Sequence, residues 1–171
     1  SEVSSLPFFD DFSETNVYLD ASKWQNRSVL VNSGFSLFPI NYNVATLDAL
    51  DATGKVYSHA SSTPFVADSL MSLPISLVDE NGENLSPADS LYLSFYYQPQ
   101  GNGDAPENND SLVLMFGYQG DTTMVWEHVW STNGLSLDSF LLANDNRYFK
   151  QVMIPIKNEN YFTNDLTILF Y

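Results

Sequence analysis

The feature that most constrains this chain is a series of short segments in which apolar residues recur at every second position. Leu91, Leu93, Phe95 and Tyr97 fall on one face of such a segment, and Tyr92, Ser94 and Tyr96 on the other. After a polar loop, Leu112, Leu114 and Phe116 alternate with Val113 and Met115, and Trp126, His128 and Trp130 alternate with Val125, Glu127 and Val129. Val152, Ile154 and Ile156 repeat the pattern, as do Leu166, Ile168 and Phe170. A period of two places successive side chains on opposite faces of an extended strand, so these are strands and not helices. Shorter strand candidates are Val29–Val31, Lys55–Ser58 and Ser69–Leu73.

The punctuation agrees. Asn81-Gly82, Gly101-Asn102-Gly103 and Asn133-Gly134 are turn signals between strand-like runs. Helical spacing is confined to Thr46–Leu50 and Leu137–Ala143, pieces too short to anchor a bundle. Strands at regular intervals, several of them apolar on both faces, predict an all-β fold, an antiparallel β-sandwich. The 171 residues suit one domain, and no repeat, linker or low-complexity tract divides them. Alternation resumes in phase at Leu112, so the acidic stretch QPQGNGDAPENND, residues 98–110, reads as the long connection of an antiparallel pair with a solvated tip.

Charge narrows the partners. There are 21 acids against six Lys and Arg, a formal net charge of −15. Binding to nucleic acid or to an anionic membrane needs clustered cations, so neither is expected. No apolar run approaches the ~20 residues of a membrane-spanning helix, and membrane insertion is not expected. The absence of cysteine excludes disulfides, thiolate metal sites and cysteine nucleophiles.

Four blocks carry a family resemblance: LPFFDDFS (Leu6–Ser13) with Lys23-Trp24; VATLDALDATGKVY (Val44–Tyr57); ADSLMSLPISL (Ala67–Leu77); and SPADSLYLSFYYQPQGNGDAPENNDSLVLMF (Ser86–Phe116). With Trp126–Trp130 and FKQVMIPI (Phe149–Ile156) they span nearly the whole chain. This order resembles a jelly-roll domain, related to MAM and concanavalin A-like domains, found near the start of large secreted or surface proteins of Bacteroidetes. Many of those are linked to type IX secretion or gliding. The resemblance implies a jelly roll with a further closing strand after Leu166–Tyr171, so the sandwich would lack its last strand, or take it from elsewhere by strand addition at an open edge. It also implies secretion or a bacterial cell-surface location, within a larger protein. It carries no activity of its own, because the fold hosts lectins, hydrolases and adhesion modules alike.

No catalytic set emerges. A glycoside hydrolase needs two carboxylates across one sugar, and the only acid inside a confident strand is Glu127, read as solvent-facing. The histidines, His59 and His128, have no neighbours that make a base with its orienter or a transition-metal site. Calcium fits better, since hard cations take carboxylate and carbonyl oxygens. Asp11 and Asp51 are the leading candidates for a structural calcium, by the resemblance, with Asp10 and Asp48 next. Asp104, Glu107 and Asp110, spaced three apart, do not match the EF-hand calcium loop. For a carbohydrate ligand, sugar rings stack on exposed aromatics, and Tyr96, Tyr97, Tyr118, Trp126 and Trp130 are eligible. The expected function is a non-catalytic interaction or adhesion module contacting proteins of the cell surface or secretion machinery. The alternative is a carbohydrate-binding module that contacts glycans through Trp126, Trp130, Tyr96 and Tyr118. A glycoside hydrolase is the remote alternative.

Overall fold

A computed structural model describes residues 3–13, 17–25, 29–48, 50, 55 and 68–171. Alternating apolar residues become antiparallel strands: β1 (Leu30–Asn32), β2 (Val44–Thr46), β3 (Leu70–Met71), β4 (Tyr92–Tyr97), β5 (Ser111–Gln119), β6 (Met124–Asn133), β7 (Lys150–Pro155) and β8 (Thr167–Phe170). One α-helix, α1 (Leu137–Ala143), lies between β6 and β7, where the helical spacing predicts it. The other helical expectation fails: Thr46 closes β2, opposite Leu30. Its β-branched side chain suits the pleated strand better than a helical turn. Of the Lys55–Ser58 strand only Lys55 is described, and it belongs to no strand.

The strands form a four-stranded sheet in the order β3-β8-β5-β6, with two-stranded sheets β1-β2 and β4-β7. The β4-β7 pair packs across the inner face of the large sheet, which makes the fold all-β and sandwich-like. Phe95 of β4 meets Trp130 of β6 edge to face at 5.2 Å between ring centres, and Phe170 of β8 at 4.8 Å. Leu114, Phe116, Leu166 and Ile168 are buried between the layers, and Val29 and Val31 from the β1 region join the same core.

Both edges of the large sheet differ from its centre. The β3 edge is covered by the chain around Trp24, where Gln25 N–H donates to Met71 O and Leu73 N–H to Lys23 O. The outer edge of β6 pairs with no strand among the described residues. Burying an edge in this way blunts unpaired backbone groups, and among the described residues β6 has no such cover.

Two local features overturn a simple reading of the alternation. First, β4 pairs with β7, while β5 pairs with β6 and β8. Residues 98–110 therefore do not connect an antiparallel pair; they cross from one sheet to the other. Period-2 phase identifies a strand but carries no information about its partner. Second, the β5–β6 register shifts by one residue: Leu114 faces Trp130, but Met115 faces His128. Val129 is the extra residue of a β-bulge, which exchanges the faces of the strand on either side of it. Trp130 thus shares the inner face with Leu114. Trp126 and His128 lie on the outer face, and Glu127, opposite Phe116, turns inward.

Candidate functional site

The outer face of the β4-β7 pair is one of the places where the protein leaves aromatic surface in solvent. Tyr92, Ser94 and Tyr96 of β4 stand opposite Pro155, Met153 and Gln151 of β7. Tyr92, Tyr96 and Met153 are all more than half exposed. Gln151 donates its side-chain N–H to the Ser94 hydroxyl across the pair at 3.0 Å.

Beside this face runs the segment between β1 and β2. Its placement depends on one side chain, Gln98. The Gln98 Oε1 accepts from Leu37 N–H at 2.9 Å, and Nε2 donates to Leu37 O at 2.9 Å and to Tyr148 O at 3.0 Å. A primary amide can satisfy a backbone donor and acceptor at once, so Gln98 acts as a surrogate strand partner for Leu37. Asn102 continues the docking. Its N–H donates to Phe35 O at 2.7 Å, and its Nδ2 donates to Gly34 O at 2.8 Å. Contact here is so close that a Cβ on Gly101 would stand 2.1 Å from Phe35 O. Glycine is required for that approach.

The result of this docking is an unusual residue. Phe38 takes a left-handed backbone conformation, φ 49°, and its side chain is 70% exposed. The left-handed region is an outlier for a bulky residue and costs on the order of 1–3 kcal/mol. An exposed ring also forgoes about 1.5–3 kcal/mol of burial. Its ring packs on that of Tyr148, at 4.6 Å between centres.

Tyr148 arrives from the other side, through α1. Ser136 caps the helix, accepting from Ser139 N–H, while Gln100 Oε1 accepts from Leu137 N–H at 2.7 Å. Phe140 anchors the helix in the core against Tyr97, at 5.5 Å. After the helix the chain reverses through Asp145 and Asn146, both left-handed, as these residue types tolerate. Asn144 Nδ2 then ties the return, donating to Arg147 O at 2.8 Å and to Phe149 O at 3.1 Å.

These segments enclose an open cleft of about 550 Å³. Phe38, Ile40, Tyr96 and Tyr148 give it apolar and aromatic walls, Asn144 and Gln151 supply amides, and Arg147 and Lys150 supply positive charge. Among the described residues no carboxylate or imidazole is in the lining.

Of the sequence-based ligand candidates, only Tyr96, 52% exposed, lines the cleft. Trp130 is turned inward by the bulge and packs on Phe95 and Tyr97, so its face is not offered to a ligand. Tyr97 is held in the same contact and against Phe140. Trp126 lies on the opposite side of the sandwich, its ring against Gly117. Tyr118 donates its hydroxyl to Glu127 at 3.1 Å and packs on Tyr161. Phe38 and Ile40 are absent from the sequence-based candidates. The signal available for them was weak: an apolar pair around Pro39 outside any alternating run.

Glu127 also departs from expectation. It is partly buried, and its carboxylate accepts from the hydroxyls of Tyr118 and Tyr161 and from Asn158 Nδ2. The Tyr161 hydroxyl, foremost, holds its carboxyl below the ordinary carboxylate range, while burial and the facing carboxylate push the phenols of Tyr118 and Tyr161 upward.

The candidate calcium ligands are occupied locally. Asp10 Oδ2 accepts from the Trp24 indole at 2.7 Å, and Oδ1 from Phe12 N–H at 2.9 Å. Asp11 Oδ1 accepts from Ser13 N–H, a bond that lowers its pKa, and Asp48 Oδ1 accepts from Leu50 N–H. Asp51 lies outside the described residues. Among the described residues no group of three His, Asp or Glu converges as a metal site would require. Comparison with protein-family models, with curated proteins and with solved structures returned no match.

Proposed function

We propose that this chain is a non-catalytic binding module of a secreted or cell-surface protein, and that its cleft takes a glycan. The observation that carries the reading is Phe38. The chain maintains a strained backbone and an exposed ring at one position, fixed by Gln98 and Asn102, next to four further apolar or aromatic residues, Ile40, Tyr96, Tyr148 and Phe149. Local strain of this kind persists where the surrounding structure over-determines it, and it concentrates at ligand sites. Sugar rings present apolar faces to aromatic walls while their hydroxyls meet amides, here those of Asn144 and Gln151. The described residues of the lining supply no carboxylate pair of the kind glycoside hydrolysis needs, which favours binding over hydrolysis.

The test is a glycan array probed with the wild-type domain and with Phe38→Ala and Tyr96→Ala. Retention of glycans by the wild type and their loss, by roughly tenfold or more, in both variants is the expected result. Equal binding by all three proteins would sink the reading.

A second reading has its own observation. The outer edge of β6, ten residues long, lacks a strand partner among the described residues. A protein partner could add a strand there, the adhesion route. A proline placed at an outward-directed N–H of β6 would abolish capture of such a partner and leave glycan binding intact.

A further inference from the structure

We infer that the glycan recognised by the cleft is anionic, bearing carboxylate or sulfate groups that Arg147 and Lys150 engage; this rests on the glycan reading above. The chain has six Lys and Arg against 21 acids. Two of the six line this one cleft, with no acid among the described residues of the lining. That is the reverse of the composition of the whole chain.

Neither cation is used by the fold. Neither side chain joins an ion pair among the described residues, whereas Lys23 pairs with Asp10 and Asp20. Arg147 takes part in local bonds only through its backbone, whose N–H donates to Asn144 O and whose O accepts from Asn144 Nδ2. Lys150 enters β7 through its backbone, opposite Tyr97. Both side chains are exposed. In a strongly acidic protein, stray cations are readily matched by a neighbouring carboxylate. Two unmatched cations beside a strained aromatic wall leave the ligand to bring the matching charge.

The residue types fit that role. The guanidinium presents a planar fork that bonds a carboxylate or sulfate at two points, and the ammonium adds a mobile point charge. The fold also shapes the approach. Asn144 fixes the Arg147–Phe149 backbone, so the guanidinium is attached to a defined turn. The net charge of −15 repels polyanions at long range, but that repulsion is screened beyond about 8–10 Å at physiological salt, whereas contact charges are not. Recognition is therefore short-ranged.

The experiment is an array of neutral, uronate-bearing and sulfated glycans, followed by titration of the best binder and its uncharged counterpart (the methyl ester of a uronate, or the desulfated sugar). Anionic members should dominate the hits, and removing the charge should weaken binding by about tenfold or more, the effect of one charge-assisted contact. The doubly substituted Arg147→Gln, Lys150→Gln protein should melt like the wild type and bind charged and uncharged forms equally. Whether uronates or sulfated sugars lead identifies the source of the anion. Neutral hits of equal strength, or a preference that survives the double substitution, would overturn the inference and leave the glycan reading standing. An array without hits would overturn both.

Discussion

Replacing Gln98 by alanine removes three hydrogen bonds at once: one from Leu37 N–H, one to Leu37 O and one to Tyr148 O. Each such bond contributes a net ~0.5–1.5 kcal/mol. Gln98 is half-buried, so water regains part of each freed group, and the expected loss is about 2–3 kcal/mol. For a chain of this size 1 kcal/mol shifts Tm by roughly 2–4 °C, which puts the loss near 5–10 °C. The glutamate variant sharpens the test. Gln98→Glu keeps the acceptor for Leu37 N–H but loses both donors, and it turns a carboxylate toward two carbonyl oxygens. It should therefore melt no higher than the alanine variant, despite preserving the shape. Differential scanning calorimetry reads the shift. Hydrogen exchange reads its location, with faster exchange in the peptides containing Leu37 and Phe38 and in the turn around Tyr148. A Tm change below about 1 °C, or a glutamate variant as stable as wild type, would refute the claim that this amide holds the cleft together.

Other changes probe the remaining packing. Gly101→Ala forces a Cβ against Phe35 O, a backbone atom that cannot rotate away, and should lower Tm and loosen the Phe35–Ile40 segment in hydrogen exchange. Trp130→Ala opens the space shared by Phe95 and Tyr97 and should cost about 3 kcal/mol in chemical denaturation, whereas Trp126→Ala, on the outer face, should cost about 1. Glu127 has a folded pKa below its ordinary 4.5, so its stabilisation is complete above that pH and is lost as pH falls through the folded value. The wild type should accordingly lose Tm faster than Glu127→Gln on acidification below pH 4.5, and parallel curves would show that the tyrosine hydroxyls do not favour the charged form.

The strands with clean alternation were legible because a half-buried strand must present one apolar face: β4, β5, β7 and β8 all lie where the pattern puts them. The helix over Leu137–Ala143 was legible too, with Phe140 as its buried anchor. What alternation could not supply was pairing. β4 and β5 are in phase across their loop and sit in different sheets, because the pattern records which side is buried and not what it is buried against. The bulge at Val129 was equally silent. One extra residue exchanged the apparent roles of Trp126 and Trp130 and brought Glu127 inward to two tyrosines. A strand that reads Val-Trp-Glu-His-Val-Trp is apolar on both sides, so either register satisfies the pattern.

The cleft was illegible for a different reason. Its walls come from four separated stretches: Phe38 and Ile40, Tyr96, Asn144, and Arg147–Gln151. None has ligand-binding character alone. Their convergence is imposed by Gln98, Gln100 and Asn102, polar residues of a loop whose composition suggests only solvation. A polar loop side chain satisfied by water and one satisfied by a distant backbone look alike in sequence. In the folded chain the second kind specifies geometry, since each amide bond fixes a segment that has no strand partner of its own. The loop residues nearest the strand, 98–103, are the ones so employed. The acids farther along lie away from the cleft: Asp110 Oδ2 accepts from Glu107 N–H, and Asp110 O accepts from Gly134 N–H just beyond β6. The loop thus divides in function: its amide-rich first half builds the binding face, and its acidic second half closes a turn. It follows that neutralising the Asp104 and Glu107 side chains should leave the cleft intact, while any change that removes the Gln98 or Asn102 amide should release Phe38 from the conformation that exposes its ring.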